Sequence, residues 1–269
     1  MHNKFRRIAL SLWSFNQSFY PMKILVCISN VPDTTSKINF TDGDTQFDKN
    51  GVQYVINPND EFGLTRAMWF KEKQGATVHV VSVGEADAEP TLRKALAIGA
   101  DEAIRVNAHP SDGFFVARQL AEVVQKGEYS LVIAGRESID YNGGMVPGML
   151  AHLLGMNFVN TCISLEIDGN NATAEREIDG GKETLSTSLP LVIGGQKGLV
   201  EESDLRIPNM RGIMMARKKA LHLVEPVEAP QRTQDQKFEK PAPKGAVKLV
   251  DANNLDQLID LLHNEAKVI

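Results

Sequence analysis

The chain has 269 residues, of which 42% are hydrophobic and 23% charged, and its formal net charge is -5. This composition is typical of a globular protein with one sizeable core, and the acidic balance gives no general reason to expect nucleic-acid binding. Its two cysteines, Cys27 and Cys162, form no C-x-x-C pair and no apolar run is long enough to span a membrane, which argues against a zinc ribbon, a disulfide scaffold and membrane insertion.

The first 21 residues form a basic, acid-free segment that includes Lys4, Arg6 and Arg7. Such a start resembles a transit peptide. The alternative, which we favour, is a start codon assigned too early, with true initiation at Met22. We therefore expect residues 1–21 to be a disordered or untranslated extension outside the fold. The expected location is cytoplasmic, or the mitochondrial matrix if the extension is a true transit peptide.

Residues 22–135 alternate short apolar runs with segments of helical periodicity. Buried-strand patterns lie at 23–28, 77–83, 103–106 and 131–134, and helical patterns at 58–73, 89–98 and 114–126. Alternation of this kind implies right-handed βαβ units and a mainly parallel sheet. Sheets of this class bind ligands at the carboxyl ends of their strands.

The first helical pattern has a well-marked start and end. Asn57 is a favourable N-cap, Pro58 fits the first helical position, and Asp60 and Glu61 suit the first turn. Gly75 is placed to end the helix.

The pattern changes after Gly155. Alternating apolar and polar residues predict antiparallel hairpins, followed by a buried strand, at 162–167, 174–178, 183–186 and 191–193. Residues 198–219 are expected to be irregular, and 225–245 to form a linker before a short amphipathic helix at 255–262. We predict an α/β fold: a doubly wound, mainly parallel sheet with an antiparallel hairpin extension and a C-terminal arm.

The stretch 131–154 is the strongest candidate for a ligand site. An apolar strand leads into a loop containing Gly143 and Gly144, and the loop opens a helix. The free N–H groups at a helix start bind anions, and glycines let a phosphate approach the backbone. The alternative is an ordinary βα loop, because the P-loop and dinucleotide fingerprints are both absent.

Several segments together resemble the β subunit of electron-transfer flavoprotein. The most specific are the Arg-Glu-Ile-Asp-Gly-Gly run at 176–181 and the Ile-Met-Met-Ala-Arg-Lys-Lys run at 213–219. The other matching segments are 25–33, 57–61, 81–84 and 131–154. The resemblance covers roughly residues 22–222, and the final helix resembles the C-terminal arm of the family.

The resemblance implies a non-catalytic electron carrier subunit that pairs with an α subunit holding most of the FAD site. It implies an adenine-nucleotide-binding domain over 22–222, and a linker and arm over 223–269 that dock on the α subunit. The bound nucleotide would be AMP, or a second FAD in electron-bifurcating relatives. Electrons would come from acyl-CoA dehydrogenases of fatty acid β-oxidation, or other flavin dehydrogenases, and pass to a quinone oxidoreductase.

The resemblance also implies the nucleotide contacts. They are Cys27, Asn57, Pro58, Asn59, Asp60, Val83, Gly135, Asp140, Tyr141, Asn142, Gly143, Gly144, Met145 and Val146. Asp140 is expected to bind ribose hydroxyls or to brace its loop. Asp60 is expected to bind a ribose or an adenine amino group, or else to serve only as a first-turn helix acid.

The loop departs from the family at Gly143 and Met145, where Thr and Gln are common. The loss of these polar side chains weakens the assignment of any particular nucleotide, although backbone N–H groups can still hold a phosphate. We therefore expect AMP, with a second FAD as the alternative.

Two residues are implied in partner docking. Met210 stands where the family presents an apolar anchor to the dehydrogenase, and its alternative is packing on its own domain. Glu177 matches an acid placed to influence partner-domain motion, and its alternative is a hairpin acid paired with Arg176 or Lys182.

A stand-alone adenine-nucleotide-binding regulatory module would share the α/β core, but it has no evident need for the hairpins and the C-terminal arm. An ATP pyrophosphatase would need a Gly-rich phosphate loop after the first strand, and residues 27–32 do not form one. The six histidines show no metal-ligand spacing, and no nucleophile–base pair stands out.

Overall fold

The structure is a computed structural model that describes residues 22–243 and 245–269. The expected N-terminal extension, residues 1–21, lies outside the described residues. The described chain divides into two compact units. The first contains residues 22–39 and 48–235, and the second contains residues 40–47 and 236–269.

The first unit is built on a nine-stranded sheet. The strands of both units are β1 (Lys23–Cys27), β2 (Asn30–Pro32), β3 (Phe40–Thr41), β4 (Gln46–Phe47), β5 (Tyr54–Ile56), β6 (Thr77–Val83), β7 (Glu102–Val106), β8 (Leu131–Gly135), β9 (Asn157–Asp168), β10 (Asn171–Ile178), β11 (Gly181–Ser188), β12 (Leu191–Gly195) and β13 (Leu221–Val224). The helices are α1 (Pro58–Gln74), α2 (Glu89–Ile98), α3 (Gly113–Gly127), α4 (Val146–Leu154), α5 (Met210–Ala216) and α6 (Leu255–Asp260).

The strand order of the large sheet is β11-β10-β9-β12-β8-β1-β6-β7-β13. All pairs from β9–β12 to β7–β13 are parallel, while β10 pairs antiparallel with both β9 and β11. This confirms the predicted doubly wound, mainly parallel sheet with an antiparallel hairpin extension.

Successive residues of the central strands face opposite sides of the sheet, as strand geometry requires. Val26 of β1 belongs to the cluster that contains Phe62 of α1 and Leu92 of α2. Leu25 belongs to the other cluster, with Leu120 of α3 and residues of α4. Because both faces are covered by helices, the parallel strands read as nearly continuous apolar runs.

The prediction that residues 198–219 are irregular is wrong, because this segment contains α5. The helix has only seven residues, too few to show a helical period in the sequence. Its start is marked by Asn209, whose side chain accepts a hydrogen bond from Gly212 N at 2.8 Å. The edge strand β13, which pairs with β7, was also missed.

The second unit joins an early hairpin to the C-terminal segment. The rings of Phe40 and Phe238 stack with centroids 4.9 Å apart, and Phe238 N donates to Asp44 O at 2.8 Å. Helix α6 begins after Asn254, whose side chain accepts from Gln257 N at 3.2 Å. The predicted short C-terminal helix is therefore present.

Candidate functional site

The topological switch point of the sheet lies between β1 and β8. The chain runs from β1 outward through β6 and β7 on one side, and returns to place β8 on the other side of β1. The connections that leave β1 and β8 therefore diverge at the carboxyl edge. In open α/β sheets this divergence forms the crevice in which ligands bind.

Asp60, on the first turn of α1, joins the ends of these two strands. Its Oδ2 accepts a hydrogen bond from Ser29 N at 2.7 Å, and its Oδ1 accepts one from Gly135 N at 2.8 Å. The residue is only 2% exposed. Both carboxylate oxygens are thus engaged within the chain, so Asp60 holds the floor of the crevice together.

Burial at this point changes the acidity of two groups. It raises the pKa of Asp60 to about 7, although the hydrogen bonds from Ser29, Asn57 and Gly135 act in the opposite direction. Burial, followed by the negative charge of Asp60, raises the pKa of the Cys27 thiol well above its usual range. Cys27 is therefore an unreactive thiol beneath the crevice.

Asn57 is the N-cap residue of α1, as expected, but its side chain makes no capping hydrogen bond. Its Nδ2 instead donates to Glu137 O at 2.9 Å, and its Oδ1 accepts from Ile139 N at 3.3 Å. Asn59 Nδ2 also donates to Glu137 O, at 3.3 Å. Because Pro58 has no N–H, the helix start needs fewer acceptors, and the Asn57 amide is left to fix the loop after β8.

Gly135 has no side chain because α1 approaches too closely. A Cβ there would lie 2.4 Å from Asp60 Oδ1 and 2.9 Å from Asn57 Nδ2. The glycine that the resemblance assigns to the nucleotide is thus required first by the chain's own packing.

The loop after β8 folds into a small hairpin. Ser138 and Gly143 exchange two backbone hydrogen bonds of 3.2 Å, and Asn142 adopts a φ of 50° at the turn. Asp140 Oδ1 accepts from Tyr141 N at 2.9 Å and from the Ser138 hydroxyl. Of the two roles expected for Asp140, these contacts correspond to bracing the loop.

Helix α4 begins directly after this hairpin. Its first intrahelical backbone bond is donated by Met149 N to Met145 O, so the amides of Val146 and Gly148 precede the hydrogen-bonded ladder. In the hairpin that precedes α4, a Cβ at Gly143 would meet no atom within 4 Å, so this glycine borders open space. Backbone N–H groups at a helix start, which have no acceptor within the helix, suit a phosphate group.

Met145 lies over the start of α3. A Cβ at Gly113 would be 2.6 Å from Met145 Cγ, and the Met145 side chain is 45% exposed. The remaining expected contact, Val83, is half-buried at the end of β6. The structure therefore brings the expected residues from β1, β6, β8 and the starts of α1 and α4 to the carboxyl edge of one sheet.

The segment at 225–235, expected to be part of a linker, is fixed along α3. Gln119 exchanges two hydrogen bonds of 2.8 Å with the backbone of Val227. Asp112, the side-chain cap of α3, also accepts from the backbone N–H groups of Arg232 and Thr233. Burial, followed by the negative charge of Asp235, raises the pKa of Tyr141 to about 12, so the Tyr141 side chain on the loop after β8 lies close to this segment.

The Glu177 carboxylate forms no salt bridge with Arg176 or Lys182, the two neighbours that its alternative role assigned to it. Arg176 pairs with Glu183 at 2.6 Å, and Lys182 lies opposite Glu177 in the β10–β11 register. The Glu177 carboxylate instead accepts a hydrogen bond from Gln196 Nε2 at 2.5 Å. Gln196, a polar residue directly after the buried strand β12, was missed at the sequence level.

Met210 is the first residue of α5, and its side chain is 75% exposed. Ile207 and Met214 nearby are 85% and 68% exposed. The alternative was that Met210 packs on its own domain. At 75% exposure, most of its apolar surface lies in solvent instead.

Helix α5 is held from beneath by α2. Arg93 Nη1 donates to Ala216 O and to Lys219 O, both at 2.9 Å. A Cβ at Gly212 would lie 2.3 Å from Ala97 O, so the two helices can approach closely only with glycine there. The Lys219 ammonium donates to Leu96 O and Ala100 O, and so fixes the end of this segment to the end of α2.

Within residues 22–243 and 245–269, no cluster of three or more His, Cys, Asp or Glu side chains is arranged to bind a metal ion. Over the same residues, every helix is too short or too polar to cross a bilayer.

Comparison with known proteins identifies the family. The model of the electron transfer flavoprotein domain matches residues 44–229. Electron transfer flavoprotein subunit beta of Bacillus subtilis is 35% identical over 262 residues, covering 92% of this chain and 100% of the relative. The same subunit of Syntrophomonas wolfei is 34% identical, with coverage of 92% and 98%, and that of Mycobacterium bovis is 37% identical, with coverage of 73% and 76%. The chain thus belongs to the electron transfer flavoprotein family, among its β subunits.

Proposed function

We propose that this β subunit pairs with an α subunit and binds AMP at the carboxyl edge between β1 and β8. It would help to hold the FAD of the α subunit and carry electrons from acyl-CoA or other flavin dehydrogenases towards a quinone oxidoreductase. The nucleotide assignment rests on the start of α4, where the amides of Val146 and Gly148 lie outside the helical hydrogen-bond ladder and follow a hairpin in which Gly143 borders open space.

Each side chain at the edge has a definite task in this proposal. The amides of Val146 and Gly148 would bind the phosphate, and Val83 and Tyr141 would border the nucleoside. Asp60 and Asn57 would position the strand ends and the loop, because their polar atoms are already bonded within the chain. This arrangement makes the backbone, rather than polar side chains at 143 and 145, the main source of affinity for the phosphate.

The redox chemistry would come from the bound FAD, which accepts and donates electrons. In our proposal the chain's own contribution is to bind, orient and dock. The C-terminal arm, residues 223–269 in the predicted division, would dock on the α subunit. Met210 would insert into an apolar pocket of the dehydrogenase, supported by the exposed Ile207 and Met214.

A second FAD at the same edge is the alternative ligand, since its AMP half would make the same phosphate contacts. A stand-alone nucleotide-binding module is the alternative function. The exposed apolar surface of α5 favours a docking protein over the stand-alone module, because a contiguous apolar patch marks an interaction site. The expected cytoplasmic location stays a prediction.

The deciding experiment is co-expression with the α subunit, followed by quantitation of flavin and AMP in the purified complex. Equal amounts of FAD and AMP would support our proposal. Two FAD molecules for each heterodimer, with no AMP, would support the bifurcating alternative. A chain that fails to associate with the α subunit and carries no flavin would contradict both.

A further inference from the structure

A chain of polar contacts runs from the exposed face of β10 to the loop after β8. Glu177 Oε2 accepts from Gln196 Nε2 at 2.5 Å, and Gln196 Oε1 accepts from Arg136 Nη1 at 3.0 Å. Arg136 Nη2 donates to Glu137 Oε1 at 2.9 Å. The carbonyl of Glu137 is the same oxygen to which Asn57 donates at 2.9 Å. The contacts thus end at the loop that leads to α4.

Backbone irregularities lie beside both Glu177 and Gln196, the first two residues in this series of polar contacts. Thr161 of β9 adopts a φ of 49°, and its hydroxyl donates to Glu177 O at 2.8 Å. The pairing of β9 with β12 shifts register between Ile193 and Gly195, next to Gln196. An irregularity of this kind redirects side chains at a strand end.

Gln196 is almost fully buried, at 6% exposure, unlike Glu177, Arg136 and Glu137. Its amide must donate to the Glu177 carboxylate and accept from the Arg136 guanidinium, so only one orientation satisfies both partners. Both hydrogen bonds involve a charged group and are stronger than bonds between neutral groups. The buried amide therefore links the position of the Glu177 side chain to that of Arg136.

We propose that Gln196 is a positioning residue that couples Glu177 to the nucleotide loop, so that the hydrogen bond between residues 177 and 196 controls how firmly the loop retains its nucleotide. This inference rests on the proposed nucleotide site. It assigns Glu177 a task within this chain in addition to any contact with a partner.

The test exchanges the two side chains. In Gln196→Glu, two carboxylates face each other, which breaks the contact with Glu177. In the double variant Glu177→Gln/Gln196→Glu, the new amide at 177 donates to the new carboxylate at 196, which still accepts from Arg136, so every partner is restored. Glu183→Gln is the matched control, because it breaks the Arg176 pair on the same hairpin and leaves the polar chain intact.

The variants are made in the full chain, co-expressed with the α subunit, and the affinity for AMP is measured with radiolabelled AMP. Hydrogen exchange of the Ile139 and Gly143 amides reports the order of the loop without any ligand. We expect Gln196→Glu to weaken AMP binding roughly ten-fold, the double variant to restore it to within about three-fold, and Glu183→Gln to leave it unchanged.

Unchanged affinity and unchanged amide exchange in Gln196→Glu would overturn the coupling, and so would a loss that the double variant fails to restore. If the wild-type complex binds no AMP, the proposed AMP site fails. Faster exchange of the two loop amides in Gln196→Glu, reversed in the double variant, would then still support the coupling of Glu177 to the loop, and unchanged exchange would overturn it.

Discussion

The carboxyl edge between β1 and β8 and the surface of α5 use their side chains in opposite ways. At the edge, Asp60 and Asn57 are buried and bonded to backbone groups of the same chain. On α5, Met210 and Met214 are exposed and apolar. In the proposed function, the edge would offer a nucleotide a backbone fixed by hydrogen bonds, whereas α5 would offer a partner exposed apolar side chains. Four substitutions test this difference.

The largest effect is expected for Asp60→Ala, which leaves the amides of Ser29 and Gly135 without their acceptor. At one to three kcal/mol for each unsatisfied buried group, the variant should lose about 2–6 kcal/mol of unfolding free energy at pH 5. Urea denaturation measures this loss. Glu61→Ala is the control, because its salt bridge to Lys94 is partly exposed.

The loss should depend on pH. The pKa of Asp60 is raised from its ordinary value of 3.8 to about 7, so between these two pH values the folded chain holds a proton that the unfolded chain has lost. The contribution of Asp60 to stability therefore falls as pH rises from about 4 to about 7, by at most about 1.4 kcal/mol per pH unit. A cost of Asp60→Ala that is the same at pH 5 and pH 8 would contradict this account.

How far the edge could be predicted from sequence depends on the distance between contacting residues. Apolar periodicity predicted the strands and helices, and the Asn57–Asp60 run was correctly placed at the start of α1. The partners of Asn57 lie about 80 residues away, at Glu137 and Ile139, and local sequence patterns carry no information about contacts of that range. The sequence therefore predicted the position of Asn57 at the helix start but not the bonds of its side chain to Glu137 and Ile139.

Gln196 shows a second limit of prediction from sequence. A single Gln after a buried strand resembles many loop residues, and its role follows only from the register shift that brings Glu177 beside it. Helix α5 shows a third limit of prediction from sequence, because it is too short to have a clear periodicity of its own. It is held against α2 by the hydrogen bond from Arg93 and by the close approach that Gly212 allows.

The next largest effect is expected on α5. In Met210→Ala, electron transfer from the cognate dehydrogenase should slow, because burial of this side chain at an interface contributes about 1.5–3 kcal/mol. Flavin content and unfolding free energy should stay unchanged, because the side chain is 75% exposed. Stopped-flow kinetics measures the rate. Leu223→Ala, which truncates a 55% exposed side chain on β13, is the control, and equal slowing in both variants would argue against a specific anchor.

A smaller effect is expected for Gly135→Ala. The added methyl group meets Asp60 and Asn57, and overpacking of this kind costs about 1–3 kcal/mol. Gly143→Ala is the matched control, since its Cβ would meet no atom within 4 Å. Thermal and urea unfolding should separate the two variants. Equal stability would show that α1 can move away from the end of β8.

The smallest effect is expected for Tyr141→Phe, which removes the hydroxyl that lies near Asp235 at an exposed position. The loss of unfolding free energy should be about 0.5–1.5 kcal/mol or less. Proteolysis of the segment at 225–235, compared between the variant and the wild type, would report its release from the loop. Identical cleavage rates would show that Asp112 and Gln119 hold the segment without Tyr141.

The stacked pair of Phe40 and Phe238 has a consequence for synthesis. The two rings are about 200 residues apart in the chain, although they lie 4.9 Å apart in the folded unit. At ribosomal rates of 5–20 residues per second, the early hairpin waits roughly 10–40 s for its partner. All nine strands of the large sheet are made before Phe238, so the small unit is the last part of the described chain that can form.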